Sequence, residues 1–467
     1  MSKYIFFLLL IALLIPGCRK FLEIGNPTIE IVADKVYNSN TSAAAVLTGM
    51  YYTIGRDGSF GDGQGGISFR CALYGDELAA LVPVYHFTDE YQNAKSPDFW
   101  ANLFGLIYRA NAAVVGLNKS NTLSPDIKKQ LLGEAKFLRA FCYFYLTNFY
   151  GDVPLLLEPE YRITSSASRS EEYLVYKQIV QDLIESKSLL STRFLAADII
   201  SETEERVRPT KWAAAALLSR VYLYRKEWRS AELEADTILG NLMFDTVSVH
   251  NVFIKNNREA IWQIQPVDDR NGFLNTADAR IFVLNNGVNS QNPVWLGENV
   301  MKAFEEDDLR CKYWIKYTAN DAFKKYPYPF KYKSYDRSDI SKEYISVLRL
   351  AEVYLIRAEA RAETGNIVGG KEDLNIIRRR AGIRLAETLT KKALLDAIMH
   401  ERQIEFFTEW GHRWLDLKRR GNLSKVMEIY VPLKGGIWVA YKALFSLPLE
   451  DIRLNPNLVQ NEGYPSY

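Results

Sequence analysis

Residues Trp212–Leu239 read WAAAALLSRVYLYRKEWRSAELEADTIL, two apolar-periodic runs, Trp212–Tyr224 and Trp228–Leu239, separated by three charged residues. Apolar side chains recurring at three- and four-residue intervals give each run one buried stripe, which predicts two amphipathic helices joined by a tight turn. Ser219 in the first run and Ala231 in the second stand twelve positions apart, and their small size lets two helix backbones approach closely. The same interval separates Ala358 from Gly370 in a second stretch, Tyr344–Glu363 followed by Lys371–Arg380. Tyr222 lies three residues after Ser219, whereas Arg361 holds the equivalent place in the second unit.

Hairpins with this spacing are of the tetratricopeptide type, and stacks of them build extended protein-docking surfaces. The bland alternative is a helical bundle with coincidental small residues. Helical periodicity also marks Phe99–Leu117, Ile127–Phe149, Tyr173–Leu190, Lys391–Glu409 and Arg413–Arg419, and a first amphipathic helix falls within Ile31–Tyr52. The fold class is therefore mainly α. Two irregular regions interrupt it. Residues 55–97 open with six glycines between Gly55 and Gly66, too many for a helix interior. Residues 241–338 break into short apolar pieces, and a stretch of that length must hold small structured elements or serve a function. A Pro- and Asn-rich tail closes the chain. The natural division is 31–240 and 241–467.

A length of 467 residues with 48% hydrophobic side chains excludes a disordered, collagen-like or coiled-coil chain. A formal charge of +2 gives no basis for nucleic-acid binding, which needs Lys and Arg concentrated on one face. At the front, Lys3 is followed by an apolar run from Tyr4 to Ile15 and then by Pro16, Gly17 and Cys18, the order of an export signal. The run is too short to span a bilayer, which takes roughly 20 residues. Residues 1–17 thus read as a cleaved signal, and Ile15–Cys18 resembles a bacterial lipobox, with Cys18 the acylated first residue of a tether over 18–30. The remaining cysteines, Cys71, Cys142 and Cys311, are widely spaced, and Cys142 lies in an apolar helix where it packs as a small hydrophobe.

Catalytic constellations fail on physical grounds. Gly61, Gly63 and Gly66 spell GxGxxG without a preceding strand or an evident following helix. Gly365–Lys371 spells GxxxxGK, but Glu372 stands where a hydroxyl must bind magnesium. His400-Glu401 begins a zincin-like pair whose second ligand position is Ile404. The four histidines have no metal-ligand spacing, and neither metal nor cofactor is expected. The acidic run Glu305–Asp308 reads as a solvated cap or turn, and the basic excess between Lys371 and Lys425 as solvated helix faces. What remains are aromatics in the irregular regions: Tyr85, Phe87 and Tyr91 in the first, and Phe273, Trp295, Trp314, Tyr317, Tyr326 and Tyr328 in the second. Ring faces stack on the C–H patches of sugars while polar neighbours such as Arg70, Asn93, Asp268, Asn289 and Asn292 read hydroxyls.

The chain resembles the SusD/RagB outer-membrane lipoproteins of the Bacteroidetes over nearly its whole length. The resemblance is carried by CRKFLEIGNP from Cys18, by Asp76-Glu77 with Trp100, Tyr108 and Asn111, and by GEAKFLRAFCYFYLTNFYGDVPLL from Gly133. PTKWAAAALLSRVYLY from Pro209, RLAEVYLIRAEA from Arg349 through Arg380-Ala381-Gly382, ERQIEFFTEWGHRWLDLKRRG from Glu401 and LPLEDIRLNPNLVQNEGY from Leu447 complete it. It implies a SusD-like fold whose tetratricopeptide-like hairpins dock on a SusC-like TonB-dependent barrel, with the irregular regions as the ligand face. It also implies a non-enzymatic subunit, lipid-anchored through Cys18 in the outer membrane and exposed at the cell surface, that captures oligosaccharide and hands it to the transporter. A RagB-like peptide ligand is the first alternative, a glycan-hydrolysing lipoprotein or a ligand-free periplasmic scaffold the others. Arg70, Tyr85, Phe87, Asn93, Trp295 and Trp314 are the expected ligand contacts. Arg413, Trp414 and Asp416 are expected to hold the last helices together, and GDVPL to stop a helix.

Overall fold

The computed structural model describes residues 36–56, 60–81, 99–267, 272–319, 325–387 and 390–465. The expected signal segment, Cys18 with its tether, and Tyr85, Phe87 and Asn93 lie outside them. From the N-terminal side come α1 (Asn40–Gly55), α2 (Ile67–Tyr74), β1 (Leu78–Ala80), α3 (Phe99–Lys119), α4 (Pro125–Tyr150), the single turn α5 (Tyr161–Thr164), α6 (Glu172–Leu189), α7 (Lys211–Tyr224) and α8 (Trp228–Leu239). The middle holds β2 (Ala260–Ile264), α9 (Ala277–Phe282), β3 (Val294–Leu296), α10 (Glu298–Ala303), α11 (Leu309–Trp314), β4 (Ile315–Ala319), β5 (Lys325–Pro329) and β6 (Ile345–Arg349). The chain then returns to helix in α12 (Leu350–Glu363), α13 (Ile367–Ala381), α14 (Lys391–Glu405), α15 (His412–Arg419), α16 (Leu423–Leu433) and α17 (Leu449–Leu454). The described residues are 54% helical, so the mainly α expectation holds.

The central element is α4, which packs against α3 and α6. Pro125 starts it at a position whose N–H is unpaired in any helix, and Gly151 stops it at φ +73°, within the GDVPL turn. From Phe137 onward it has no wet face: Phe137, Phe141, Phe144, Leu146 and Phe149 are all fully buried, as is Cys142. A helix apolar on every side belongs in the middle of a large fold.

Both predicted hairpins form and stack, although more than a hundred residues separate them in sequence: α7 packs on α8, α8 on α12, and α12 on α13. The small residues sit at the crossings. Ser219 Oγ donates to the carbonyl of Ala231 at 2.9 Å, and a Cβ on Gly370 would stand 2.8 Å from the carbonyl oxygen of Ala358. Arg361, the departure from the aromatic pattern, pairs with Glu232 of α8 at 2.7 Å and Asp373 of α13 at 3.0 Å, so a charge bridges three helices where a ring was expected.

Several helix boundaries differ from the sequence-based expectation: α13 begins at Ile367, α14 ends at Glu405, and the largest change precedes α12. Ile345–Arg349 is a strand, paired antiparallel with β2, and α12 begins only at Leu350. Every side chain of β2 and β6 is buried, and a short continuous apolar run carries no period that separates strand from helix. The middle region contains the small elements its length demanded: among the described residues β4 pairs with β5 within it, while its β3 and β2 pair antiparallel with β1 and β6 from outside it.

The charged residues of the last third also depart from the solvated faces predicted for them. Arg378, Arg380, Arg402 and Arg419 turn inward onto carboxylates. Arg349 reaches Glu405 at 2.5 Å, Glu409 at 2.8 Å and Glu259 at 3.1 Å. Arg310 reaches Glu401 at 2.6 Å, Asp308 at 2.9 Å and Glu405 at 3.0 Å. Asp308 does cap α11, but it is buried rather than solvated. Burial alone would raise the Glu405 carboxyl, yet Arg380, Arg349 and Arg310 together hold it well below the usual carboxylate range. Asp416 joins α14 to α15 through Arg402 at 2.7 Å and pairs within α15 with Arg419 at 2.7 Å, and Arg413 binds Asp76 at 2.7 Å. Trp414 is fully buried against Trp438 and Phe445.

Candidate functional site

The glycine-rich start of the first irregular region is an anchor rather than a phosphate cradle. A helix, α2, does follow the GxGxxG glycines; α1 and not a strand precedes them. Asp62, fully enclosed, accepts from the backbone N–H groups of Ala277 at 2.7 Å and Asp278 at 2.9 Å, at the start of α9. Asp278 returns the contact by accepting from Gly63 N at 3.0 Å. Gly63 holds φ +67°, and a Cβ at Gly61 would meet the carbonyl of Ile54 at 2.5 Å, so neither tolerates a side chain. This clasp and the pairing of β1 with β3 bring the two irregular regions together.

Trp295 lies on β3 opposite Ala79 of β1. It is half-buried and meets Tyr326 of β5 edge-on, with ring centroids 5.0 Å apart at 73°. Tyr326, Tyr328 and Phe330 occupy alternate positions and therefore share one face of the β4–β5 hairpin. With Val283, Leu284 and Val288 beneath, and Tyr335 beside them, they form a separate small apolar cluster. Lys316, register partner of Tyr328, places its ammonium 3.9 Å from the Phe330 ring centre. Phe273 is covered by two guanidiniums, Arg280 at 4.1 Å and Arg337 at 5.1 Å. Trp295, Tyr326 and Phe330, all half-buried, with Lys316 beside Phe330, thus form a partly exposed aromatic face with a cationic donor, suited to a ligand with apolar patches and oxygen acceptors.

Arg70 sits half-buried on α2, and its neighbour Phe69 packs on Phe282 of α9 at 6.0 Å. The helix of Arg70 and the strand of Trp295 share one core cluster through Phe69, Leu73, Val294 and Leu296, whereas the Trp295 ring itself faces the separate cluster of Tyr326 and Tyr328. Trp314 is a correction. It is fully buried, donates from Nε1 to the carbonyl of Val249 at 2.8 Å, and packs edge-on against Phe253 at 5.4 Å; a ring so enclosed has no face left for a ligand. Asn289 and Asn292 hold their loop: Asn292 Nδ2 donates to Ile281 O at 3.1 Å, and Asn289 Oδ1 accepts from Gln291 N at 2.8 Å. Tyr317 is exposed on the opposite face of the hairpin. Phe330, Tyr335 and Lys316 were missed, although the alternation in KYPYPF over residues 325–330 was the available signal.

The SusD-family profile matches residues 285–464, and a second, described as starch-binding associating with outer membrane, matches residues 77–223. The chain belongs to the SusD family. Among curated relatives of this SusD-family chain, SusD-like protein P25 of Formosa agariphila is 24% identical, with 96% of this chain and 97% of that protein covered. A SusD superfamily structure from Bacteroides vulgatus superposes with a TM-score of 0.78 at 22% identity, covering 92% of this chain and all of the other. Surface glycan-binding protein A from Bacteroides uniformis gives a TM-score of 0.76 at 20% identity, covering 90% of this chain and 98% of that one. The SusD-like fold expected from the sequence is thus the fold observed.

Proposed function

We propose that this SusD-family chain is a non-enzymatic carbohydrate-binding lipoprotein of the outer membrane, which captures oligosaccharide at the cell surface and hands it to a SusC-like TonB-dependent barrel. The observation that carries this reading is the half-buried Trp295–Tyr326 pair on the face that the two irregular regions share. The starch-binding description of the matched N-terminal family and the glycan-binding title of one structural relative point to the same ligand class. Arg70 is a candidate polar contact beside that face, with Tyr85, Phe87 and Asn93 of the first irregular region. The stacked hairpins leave Leu233 of α8 and Val368 of α13 about two-thirds exposed, apolar positions that suit docking on a barrel. Anchoring falls to Cys18, with several acyl chains giving durable attachment where one is marginal.

The test is titration of the purified chain with oligosaccharides from common polysaccharides. Trp295→Ala should weaken binding by roughly 1–3 kcal/mol, as for an aromatic anchor. Unchanged affinity removes this face from the site, and peptides recovered in its place from protein isolated from native membranes would favour the RagB-like alternative.

A further inference from the structure

A cavity of about 600 Å3 opens between α1, the loop that follows α6 and the segment after β2, and it shares no lining residue with the Trp295 face. Its volume lies in the range of small-molecule pockets, roughly 300–1,000 Å3. Its walls are preformed. One is a tight hairpin in which Leu195 bridges Glu202, while Ala196 N donates to Ser201 O at 2.8 Å and Thr203 N to Phe194 O at 3.0 Å. Asp198 fixes the turn, accepting from Ser201 Oγ at 2.6 Å and Ile200 N at 3.0 Å, and Ile199 is held at φ +63°, a conformation that β-branched residues rarely take. Another wall is an interlocked set: Arg208 donates to Glu134 at 2.7 Å and to Thr48 Oγ1 at 2.8 Å, and the Tyr51 hydroxyl donates to Glu134 at 2.8 Å.

Two features of the lining call for a ligand. Tyr52 is 47% exposed and Leu274 46% exposed, so an aromatic face and an aliphatic one stand open at the cavity. Glu205 also lines the cavity and brings a carboxylate acceptor to it. A sugar hydroxyl that entered the cavity can donate to that carboxylate. The Arg208 charge is already balanced by Glu134, so the site does not call for an anion.

We propose that this cavity is a second carbohydrate subsite, which takes a neutral sugar ring with its C–H face on Tyr52 and a hydroxyl donating to Glu205. The proposal rests on the carbohydrate reading for its ligand class and on the cavity itself for its place. Calorimetry and hydrogen exchange of the whole chain with neutral oligosaccharides from α-glucan, β-glucan, xylan and mannan test it. In the Trp295→Ala background, residual binding with protection of residues 195–208 is expected. Adding Tyr52→Ala or Glu205→Gln, each with an unchanged melting temperature, should lower that residual affinity by about tenfold, the size of one lost anchor. Loss of all binding in Trp295→Ala, with unaltered exchange over 195–208 in the parent at saturating sugar, overturns the second subsite and leaves the proposed function standing. Failure of the parent chain to bind any of these sugars overturns both.

Discussion

Trp295 and Trp314 look alike in the sequence, two tryptophans in one irregular region, and the structure gives them opposite work. Trp295 keeps part of its ring at the surface beside Tyr326, whereas Trp314 fills the small core under Phe253 and Phe407. Trp314→Ala should therefore cost about 3–5 kcal/mol of stability, measured by urea unfolding, because a large buried side chain leaves a cavity behind. A well-folded Trp314→Ala protein with weakened sugar binding would contradict this assignment. Glu77 is the second residue whose role only its surroundings reveal. It is buried, accepts from Thr408 N at 3.1 Å, and lies near Asp76, Arg413 and Lys331. Burial first, and the Asp76 charge second, push its carboxyl from 4.5 up to about 8. Between those values the folded chain keeps a proton that the unfolded chain has released, so raising the pH through this window removes stability. Glu77→Gln lacks that titration. Its melting temperature should gain on the parent's steadily from about pH 5 to about pH 8 and level off above; a difference independent of pH would refute the assignment.

At the scale of elements, the long helices were legible because their apolar stripes recur at helical spacing for many turns, as in Phe99–Lys119 and Glu172–Leu189. The small residues Ser219, Ala231, Ala358 and Gly370 were also legible as close approaches, and they are. Gly370→Val should push α13 off α12 and destabilise the chain by roughly 1–3 kcal/mol, the usual range for overpacking. Chemical denaturation reads it, and a neutral outcome would mean that the two helices do not need this contact. What escaped at this scale were short elements. Ile345–Arg349 was merged into the helix that follows it, because five buried residues in a row lack any periodicity. The helix Ile67–Tyr74 was hidden behind a run of glycines whose purpose, the Asp62–Asp278 clasp, needs a partner more than two hundred residues away.

For the molecule as a whole, charge is the dominant unexpected term. Arg349, Arg310 and Arg380 converge on Glu259, Glu405 and Glu409, and all of these groups are nearly or wholly buried. The network joins β6, α11, α13 and α14 to the segment before β2, so it ties the middle region to the helical stack. Removing one member leaves several desolvated charges without compensation. Arg349→Met should cost about 3–5 kcal/mol in urea unfolding, and a loss under about 1 kcal/mol would show that the remaining cations redistribute to cover the carboxylates.

The amino-acid sequence by itself determined the mainly helical class, the two repeat-like hairpins, the stop at Gly151 and the family, since each depends on residues close together in the chain or on long matched motifs. Tertiary structure alone decided which aromatics reach the surface, that Arg378 and Arg419 face inward, and that distant segments such as the loop 60–66 and the start of α9 lock together. The reason is physical. Helical periodicity is a local property that a few turns suffice to display, whereas burial, charge pairing and the exposure of a ring depend on neighbours that folding brings from elsewhere in the chain.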